Sequence, residues 1–201
     1  MSDKLLVDKD WIAKNGISYI DYYKKIQNFA SEKTTSGHEV TAERIEITKL
    51  NLHRMKRINE AQSESLTYEL PFTIGAAILT EAWCGDSAQN IPWLEHFFNS
   101  CYPKIQSYYF FRDDNPELMN QFLTNGSRSI PKCIFYNLSN GQVLDTWGAR
   151  PEEIKIWLAS FRAQNPEISK HDWEIALHKY YTQNKGAAIM NDLSKIIGGL
   201  I

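Results

Sequence analysis

The sequence has few of the features that mark specialised classes of protein. Its 201 residues include only three cysteines, an odd number without a repeated spacing, which argues against a disulfide framework and favours a reducing compartment. The formal net charge is −2, so the charge balance gives no reason to expect binding to nucleic acid. No run approaches the roughly 20 apolar residues of a membrane span, and the apolar run at residues 5–7 is too short for a secretory signal. We therefore expect a soluble, cytoplasmic protein with neither nucleic acid nor a membrane as its partner.

Sequence motifs for metals and phosphate-bearing cofactors are also missing. The five histidines are scattered, and none stands at a metal-ligand spacing from a cysteine. The sequence has no glycine-rich phosphate loop, no serine nucleophile elbow and no internal repeat. We therefore expect no bound metal and no bound cofactor.

One short segment stands out at residues 83–87, where a lone cysteine, Cys84, lies between a predicted strand and a predicted helix. The unbroken apolar run 72–79 is typical of a central strand buried on both faces. Apolar side chains then recur at helical spacing over residues 91–98. Cys84 is therefore expected in the first turn of a helix, where the macrodipole and free backbone N–H groups favour the thiolate. Asp86 opposes this through like-charge repulsion, so the direction of the thiol pKa stays open.

The segments that follow predict the remainder of an α/β domain. Residues 105–111 are aromatic and β-branched, as in a strand, and residues 116–122 have the pattern of a short helix. Two apolar runs, at 130–136 and 143–147, flank an Asn-Gly pair, which is a strong hairpin signal. A closing helix is predicted from about 151 to 161.

The predicted order, strand-helix-strand-helix-hairpin-helix, resembles the thioredoxin fold over residues 70–164, including its active-site turn. Pro131, preceded by Ile130, matches the cis-proline that faces the active-site cysteine in that fold. Gly148, followed by Ala149, matches the glycine that lets a partner approach closely. The Trp-Cys-Gly-Asp turn further resembles that of bacterial cytosolic thioredoxin-family proteins. The resemblance implies an α/β thioredoxin-like fold with a central mixed sheet flanked by helices.

The resemblance also assigns roles to the residues of the site. It implies that Cys84 is a nucleophile that forms a mixed disulfide, with Asp86 and Ser87 at the other catalytic positions. A main-chain edge at Ile130 would pair with an extended peptide, and Trp83 is expected to be an exposed aromatic beside the thiol. The positions implied to contact substrate are Trp83, Gly85, Ile130, Pro131, Gly148 and Ala149.

Three departures from the thioredoxin pattern affect the second half of the exchange reaction. Ser87 stands in place of the second cysteine, Ile78 in place of a buried aspartate and Asp86 in place of a proline. A hydroxyl is not a thiolate at neutral pH, so Ser87 cannot resolve a mixed disulfide. Cys133 on the next predicted strand is an alternative resolving thiol, although core packing is the favoured interpretation for it and for Cys101.

The chain is longer than one thioredoxin domain, so we expect an extension at each end. The predicted division is a helical segment at residues 1–66, a thioredoxin-like domain at 67–165 and C-terminal helices at 166–201. Two short helices are expected in the last segment. There Tyr180 and Tyr181 contribute either to a dimer surface or to packing on the chain's own N-terminal helices, and the oligomeric state stays open.

The N-terminal segment is predicted to form two amphipathic helices separated by a polar break at residues 31–37. The favoured interpretation is that both pack on the sheet and that their charges are solvated. The alternative is that a basic cluster of His53, Lys56 and Arg57 lies over Cys84 and attracts an acidic partner or glutathione.

Two functions of different classes follow from these patterns. The first is a thiol-disulfide oxidoreductase that acts through one cysteine on protein or peptide substrates, with glutathione or another low-molecular-weight thiol as a candidate co-substrate. The second is a redox-inactive thioredoxin-fold module that binds peptides or proteins in the same groove. Ser87 and Ile78 favour the second function, and the retained cysteine favours the first.

Overall fold

Strands and helices alternate in the middle of the chain, and helices occupy both ends. The computed structural model describes residues 5–62 and 67–200, without the side chain of Tyr102, so the predicted boundary at residue 66 lies outside the described residues. In chain order the elements are α1 (Lys9–Asn15), α2 (Tyr19–Ser31), α3 (Ala42–Ala61), β1 (Tyr68–Glu69), β2 (Ile74–Thr80), α4 (Gly85–Ser100), β3 (Cys101–Tyr102), β4 (Gln106–Phe111), α5 (Pro116–Gln121), β5 (Lys132–Asn137), β6 (Val143–Gly148), α6 (Glu152–Gln164), α7 (Lys170–Asn184) and α8 (Ala187–Gly198).

The central sheet is mixed and has four strands in the order β4-β2-β5-β6. β2 is parallel to β4 and antiparallel to β5, and β5 is antiparallel to β6. All seven residues of β2 are buried, as expected for a central strand with helices on both faces. Gly141, at φ +75°, lies in the turn of the β5–β6 hairpin, where a glycine adopts this conformation without strain. The predicted α/β fold class is confirmed.

Apolar side chains from both ends of the chain pack against the sheet in two cores. One core joins Ile78 of β2 to Tyr22 of α2, Met55 of α3, Phe97 of α4 and Leu193 of α8. The other core lies on the opposite face, between the sheet and helices α1 and α5. Fully burying one side chain of this size contributes about 1.5–3 kcal/mol. The extensions are therefore part of the folded unit, which confirms that the N-terminal helices pack on the sheet.

Residues 5–62 of the N-terminal segment form three helices, so the prediction of two was wrong. α1 ends before Gly16, where a Cβ atom would lie 2.7 Å from Cβ of Tyr108. The Ser18 hydroxyl caps the start of α2, and between the helices Ile17 exchanges backbone hydrogen bonds with Tyr109. The two-residue parallel pair β1–β3 was also not predicted, because strands this short carry no periodicity.

The two predicted C-terminal helices are confirmed as α7 and α8. Together with α6 they share a third apolar cluster, which includes Leu158, Leu177 and Tyr181. Tyr181 is buried within its own chain, in the cluster formed by α6, α7 and α8 rather than in one with the N-terminal helices. Within residues 5–62 and 67–200, no helix combines the length and the apolar character needed to cross a membrane.

Candidate active site around Cys84

Cys84 is the N-cap residue of α4, at the point where the chain leaves β2 and its following turn. Its sulfur accepts a hydrogen bond from the N–H of Ser87 at 3.4 Å, and its thiol donates to the carbonyl oxygen of Ile130 at 3.4 Å. The Ile130–Pro131 peptide bond is cis. The thiol therefore lies between a helix N-terminus and the chain just before Pro131, as the resemblance implied.

The Cys84 thiol is buried, with 8% of the residue exposed, and this determines its acidity. Burial is the largest cause that raises the pKa of the Cys84 thiol, and together with the carboxylate of Asp86 it brings that pKa to about 11. The hydroxyl and N–H of Ser87 and the N–H of Asp86 lower the pKa, but their effects are smaller. Desolvation therefore outweighs the helix N-terminus, and the question left open by the sequence is settled towards the neutral thiol.

Asp86 is held by a guanidinium group and a phenol rather than exposed beside the thiol. Arg150 donates to its two carboxylate oxygens, from Nη2 at 2.7 Å and from Nε at 3.0 Å. The Tyr181 hydroxyl donates to the same carboxylate at 2.8 Å. Asp86 thus ties the β6–α6 loop and α7 to the first turn of α4.

Ser87 lies completely buried at the position of the missing second thiol. Its Oγ atom has no partner at hydrogen-bond geometry among the described residues, although the hydroxyl is close enough to lower the pKa of Cys84. A buried hydroxyl without a strong partner costs about 1–3 kcal/mol. Ser87 therefore supports the thiol weakly and gives the site no second nucleophile.

Gly85 faces side chains of both extensions, although it was predicted to contact substrate. A Cβ atom on Gly85 would lie 2.7 Å from Cε1 of His178 and 3.4 Å from Nη1 of Arg54. His178 belongs to α7 and Arg54 to α3, and Gln89 of α4 lies 3.3 Å from Nδ1 of His178. Burial and the nearby guanidinium groups lower the pKa of His178 to about 3, so its imidazole is neutral at pH 7. The side chains of His178 and Arg54 therefore cover one side of the turn that holds Cys84.

Trp83 is half-buried between two arginines, so the prediction of an exposed ring was wrong. The guanidinium carbon of Arg44 lies 4.5 Å from the ring centroid and that of Arg112 lies 5.1 Å away. Each cation–π contact stabilises the ring by about 0.5–2 kcal/mol. The indole Nε1 is buried with no hydrogen-bond partner among the described residues. The two arginines therefore hold the ring beside the turn, and only part of its surface is exposed to solvent.

Glu81 is a fully buried carboxyl group at the carboxyl end of β2. It accepts hydrogen bonds from the Ser36 hydroxyl and from the N–H of Asp113, the latter at 2.8 Å. Burial raises the pKa of Glu81 despite these bonds. Ser36 also accepts from the N–H of Ala82 at 2.7 Å, so the chain between α2 and α3 is anchored to the active-site turn.

Four of the positions predicted to contact substrate lie next to one another: Ile130, Pro131, Gly148 and Ala149. Gly148, at φ +130°, approaches the main chain so closely that a Cβ atom there would lie 2.1 Å from the Pro131 carbonyl oxygen. Ile130 and Pro131 are buried, and Gly148 and Ala149 are half-buried. The Ile130 carbonyl accepts one hydrogen bond from Cys84, and its second lone pair can accept another from a substrate main chain.

The remaining two cysteines pack in the core. Cys133 is fully buried opposite Ile78, in the core shared with α2, α3, α4 and α8, whereas Cys84 belongs to the core on the other face of the sheet. Burial raises the pKa of the Cys133 thiol well above its usual value. Cys101 caps the end of α4, and burial raises its pKa to about 12. All three cysteines are free, and the geometry does not favour Cys133 as a resolving thiol.

Four side chains around the turn were not anticipated: Arg54, Arg150, His178 and Tyr181. Arg54 had a recognisable signal, because it is a charged residue on the apolar face of α3. Arg150 follows directly on Ala149 in the sequence. His178 and Tyr181 come from a distant helix with no local pattern that links them to Cys84. Within the described ranges, no group of three or more His, Cys, Asp or Glu could hold a metal ion.

The comparisons with known proteins agree with this fold. The family model Thioredoxin_9, described as thioredoxin, matches residues 33–162, which is more than half of the chain. The chain belongs to this thioredoxin family. The match begins ahead of the thioredoxin-like domain predicted from residue 67, so it takes in α3 and Arg54.

Two solved structures are similar to this chain. The crystal structure of an HIV epitope scaffold is similar at 14% identity, with 94% of this chain and 97% of that chain covered and a TM-score of 0.53. A protein of unknown function from Pseudomonas aeruginosa is similar at 14% identity, with 87% and 95% covered and a TM-score of 0.44. A search of curated proteins finds no match. The first of these similarities supports the fold alone.

Proposed function

We propose that this thioredoxin-family chain is a thiol-disulfide exchange protein that works through one cysteine, Cys84. The observation that carries the proposal is the position of the Cys84 sulfur. It caps α4 and lies 3.4 Å from the carbonyl oxygen of Ile130, beside Pro131 and the half-buried Gly148 and Ala149. A disulfide brought to this edge by main-chain pairing would have one sulfur beside the nucleophile.

The exchange step needs no outside oxidant. The Cys84 thiol loses its proton to solvent, and the thiolate attacks one sulfur of a substrate disulfide. A new sulfur–sulfur bond forms to Cys84, the substrate bond breaks, and the departing sulfur leaves as a thiolate that takes up a proton. Ser87 cannot make the second attack, so release requires an external thiol such as glutathione.

The raised pKa makes this exchange slow at neutral pH. A pKa of about 11 instead of 9 lowers the thiolate fraction at pH 7 about a hundredfold. A thiolate of higher pKa is the better nucleophile, with a Brønsted coefficient of about 0.4–0.5, which recovers a little under tenfold. The net result is a reaction on the order of tenfold slower than that of an ordinary thiol.

The same property makes the product long-lived. The Cys84 thiol is released from a mixed disulfide only when another thiol attacks the partner's sulfur and expels the Cys84 thiolate. A thiolate of high pKa is a poor leaving group, so this release is slow. With no second cysteine at position 87, the protein is suited to hold a partner covalently rather than to turn over many disulfides.

A redox-inactive binding module is the second candidate. The burial of the Cys84 thiol and its raised pKa favour this alternative, because both reduce the reactivity that exchange needs. Such a module would use the Ile130 and Pro131 edge for peptides and would need no covalent step.

Intact-mass measurements after incubation with oxidised glutathione at pH 8 separate the two candidates. We expect one glutathione adduct on the wild-type chain and on a Cys133→Ala variant, and none on a Cys84→Ser variant. An unmodified wild-type chain, or an adduct that persists in Cys84→Ser, would contradict single-thiol exchange. Partners that bind equally well to Cys84→Ser and to the wild type would support the binding module.

A further inference from the structure

A groove of about 560 Å³ lies between α3, α4 and α7, next to the covered side of the Cys84 turn. Its apolar lining includes Leu50 and Ile58 of α3 and Trp93 of α4. Small-molecule sites in proteins usually have volumes of about 300–1,000 Å³ and combine apolar walls with a few polar groups. The groove has the size of a site for a small organic molecule.

The charged side chains of the groove all have the same sign. Arg54 and Arg57 of α3 line the groove, as do Lys179 of α7 and Lys185, the C-cap residue of α7. No Asp or Glu lines the groove among the described residues. The side chains of Arg57, Lys179 and Lys185 are exposed and form no hydrogen bond or ion pair with any described residue. Positive charges that border one concave surface attract anions and raise their local concentration.

Arg54 is the most restrained of these cations. It is half-buried and donates to Oδ1 of Asn51 at 2.7 Å, and Asn51 in turn donates to the Ala82 carbonyl at 2.9 Å. Asp86 and Glu174 are the acids whose charges act on it. Asp86 is already paired with Arg150, which leaves Arg54 with capacity for another anion.

We propose that this groove binds a small organic anion that has an apolar part, such as an aromatic or aliphatic carboxylate or sulfonate. The cations would hold the acidic group, and the apolar body would lie against Leu50, Ile58 and Trp93. The groove has the volume of a small-molecule site, whereas a stable protein interface covers about 800 Å² on each partner. The occupant is therefore a small molecule rather than an acidic protein segment.

The groove and the Cys84 turn share side chains. Arg54 and His178 line the groove and also face Gly85, and Gln89 connects to His178 within the groove. A bound anion would thus lie against the cover of the active-site turn. The proposal does not rest on thiol exchange, because none of the binding contacts involves Cys84.

Fluorescence titration with 8-anilinonaphthalene-1-sulfonate tests the proposal, with N-phenyl-1-naphthylamine as the uncharged analogue of similar shape. We expect 1:1 binding of the sulfonate, at least tenfold weaker binding of the amine, and weaker sulfonate binding as salt screens the cations. The indole signal of Trp93 in NMR spectra should shift on sulfonate binding. Equal affinity for the two probes would overturn the proposal, as would an unchanged Trp93 signal.

Charge reversal locates the site. Arg57→Glu and Lys179→Glu should each weaken sulfonate binding at least tenfold, whereas Lys56→Glu, an exposed neighbour on α3 that does not line the groove, should change it less than twofold. Loss of binding in all three variants alike, or in none, would contradict the assignment. Displacement of the probe by hexaglutamate at lower concentration than by dodecanoate would show that an acidic peptide is the occupant and would overturn the proposal. Cys84→Ser should bind like the wild type, which separates this test from the test of thiol exchange.

Discussion

Loss of the Arg150 guanidinium should destabilise the protein through the largely buried carboxylate of Asp86. The Asp86 side chain is 11% exposed and that of Arg150 is 31% exposed, and two hydrogen bonds join them. Removing one partner of a buried ion pair costs about 3–5 kcal/mol, because the other charge is left without compensation. Since Arg150 is nearly a third exposed and Tyr181 remains bound to the carboxylate, we expect about 2–3 kcal/mol for Arg150→Met.

Urea denaturation of a matched set of variants measures this value. Arg150→Met keeps most of the aliphatic stem, and Lys155→Met removes an exposed pair with Glu152 that should contribute no more than about 0.5 kcal/mol. Asp86→Asn combined with Arg150→Met should cost less than the sum of the two single changes, with a coupling of about 1–2 kcal/mol. The reasoning is refuted if Arg150→Met costs no more than Lys155→Met, or if the double variant is additive.

The thiol provides a second readout of the same pair. The Asp86 carboxylate raises the pKa of Cys84, so Asp86→Asn should speed alkylation of Cys84 at pH 8. Arg150→Met leaves the carboxylate without its guanidinium and should slow the same reaction. Changes of the same direction in both variants would show that alkylation follows local unfolding rather than charge.

Three further predictions concern the site and its surroundings. The alkylation rate of Cys84, followed by mass spectrometry, should rise about tenfold per pH unit between pH 7 and 10, since the thiol pKa is about 11; a plateau near pH 9 would contradict this. Gly148→Ala should lower the unfolding free energy by more than about 2 kcal/mol, because its Cβ would meet the Pro131 carbonyl and its φ is positive, whereas Gly198→Ala has open space and should be nearly neutral by urea denaturation. The pKa of Glu81 is raised in the folded state, so its carboxyl group stabilises the fold below the unfolded pKa near 4.5, and this stabilisation is lost as pH rises through the folded pKa. Glu81→Gln should therefore reduce the loss of unfolding free energy from pH 4.5 upward. A pH profile of the unfolding free energy that is the same in the variant and the wild type would contradict this.

The fold was predictable because its elements carry strong local patterns. The apolar run before Cys84 has the length and composition of a buried strand, and the structure has β2 there with every residue buried. The Asn140-Gly141 pair predicted the hairpin that β5 and β6 form, and the helical spacing of apolar residues after Cys84 predicted α4. The division of the first helical segment was missed although its signals are local: Gly16 caps the end of α1 and the Ser18 hydroxyl caps the start of α2.

The chemistry of the site was only partly predictable. The sequence placed Cys84 at a helix N-terminus, but burial, which dominates its pKa, depends on tertiary packing around the turn. His178 and Tyr181 reach the turn from about 90 residues away in the chain, as their hydrogen bonds with Gln89 and Asp86 show. No local spacing predicts such contacts. Only Arg54, a charge on an apolar helix face, gave a signal that sequence reasoning can use.

The lifetime of a glutathione adduct on Cys84 tests the central claim most directly. The adduct would be prepared with oxidised glutathione, freed of excess reagent, and followed by peptide mass spectrometry in the absence of added thiol. We predict an adduct confined to Cys84 that persists for hours, because no resolving thiol faces it and its thiolate is a poor leaving group. Rapid loss of the adduct with formation of a disulfide to Cys133 would contradict the account, and so would the absence of any adduct on Cys84.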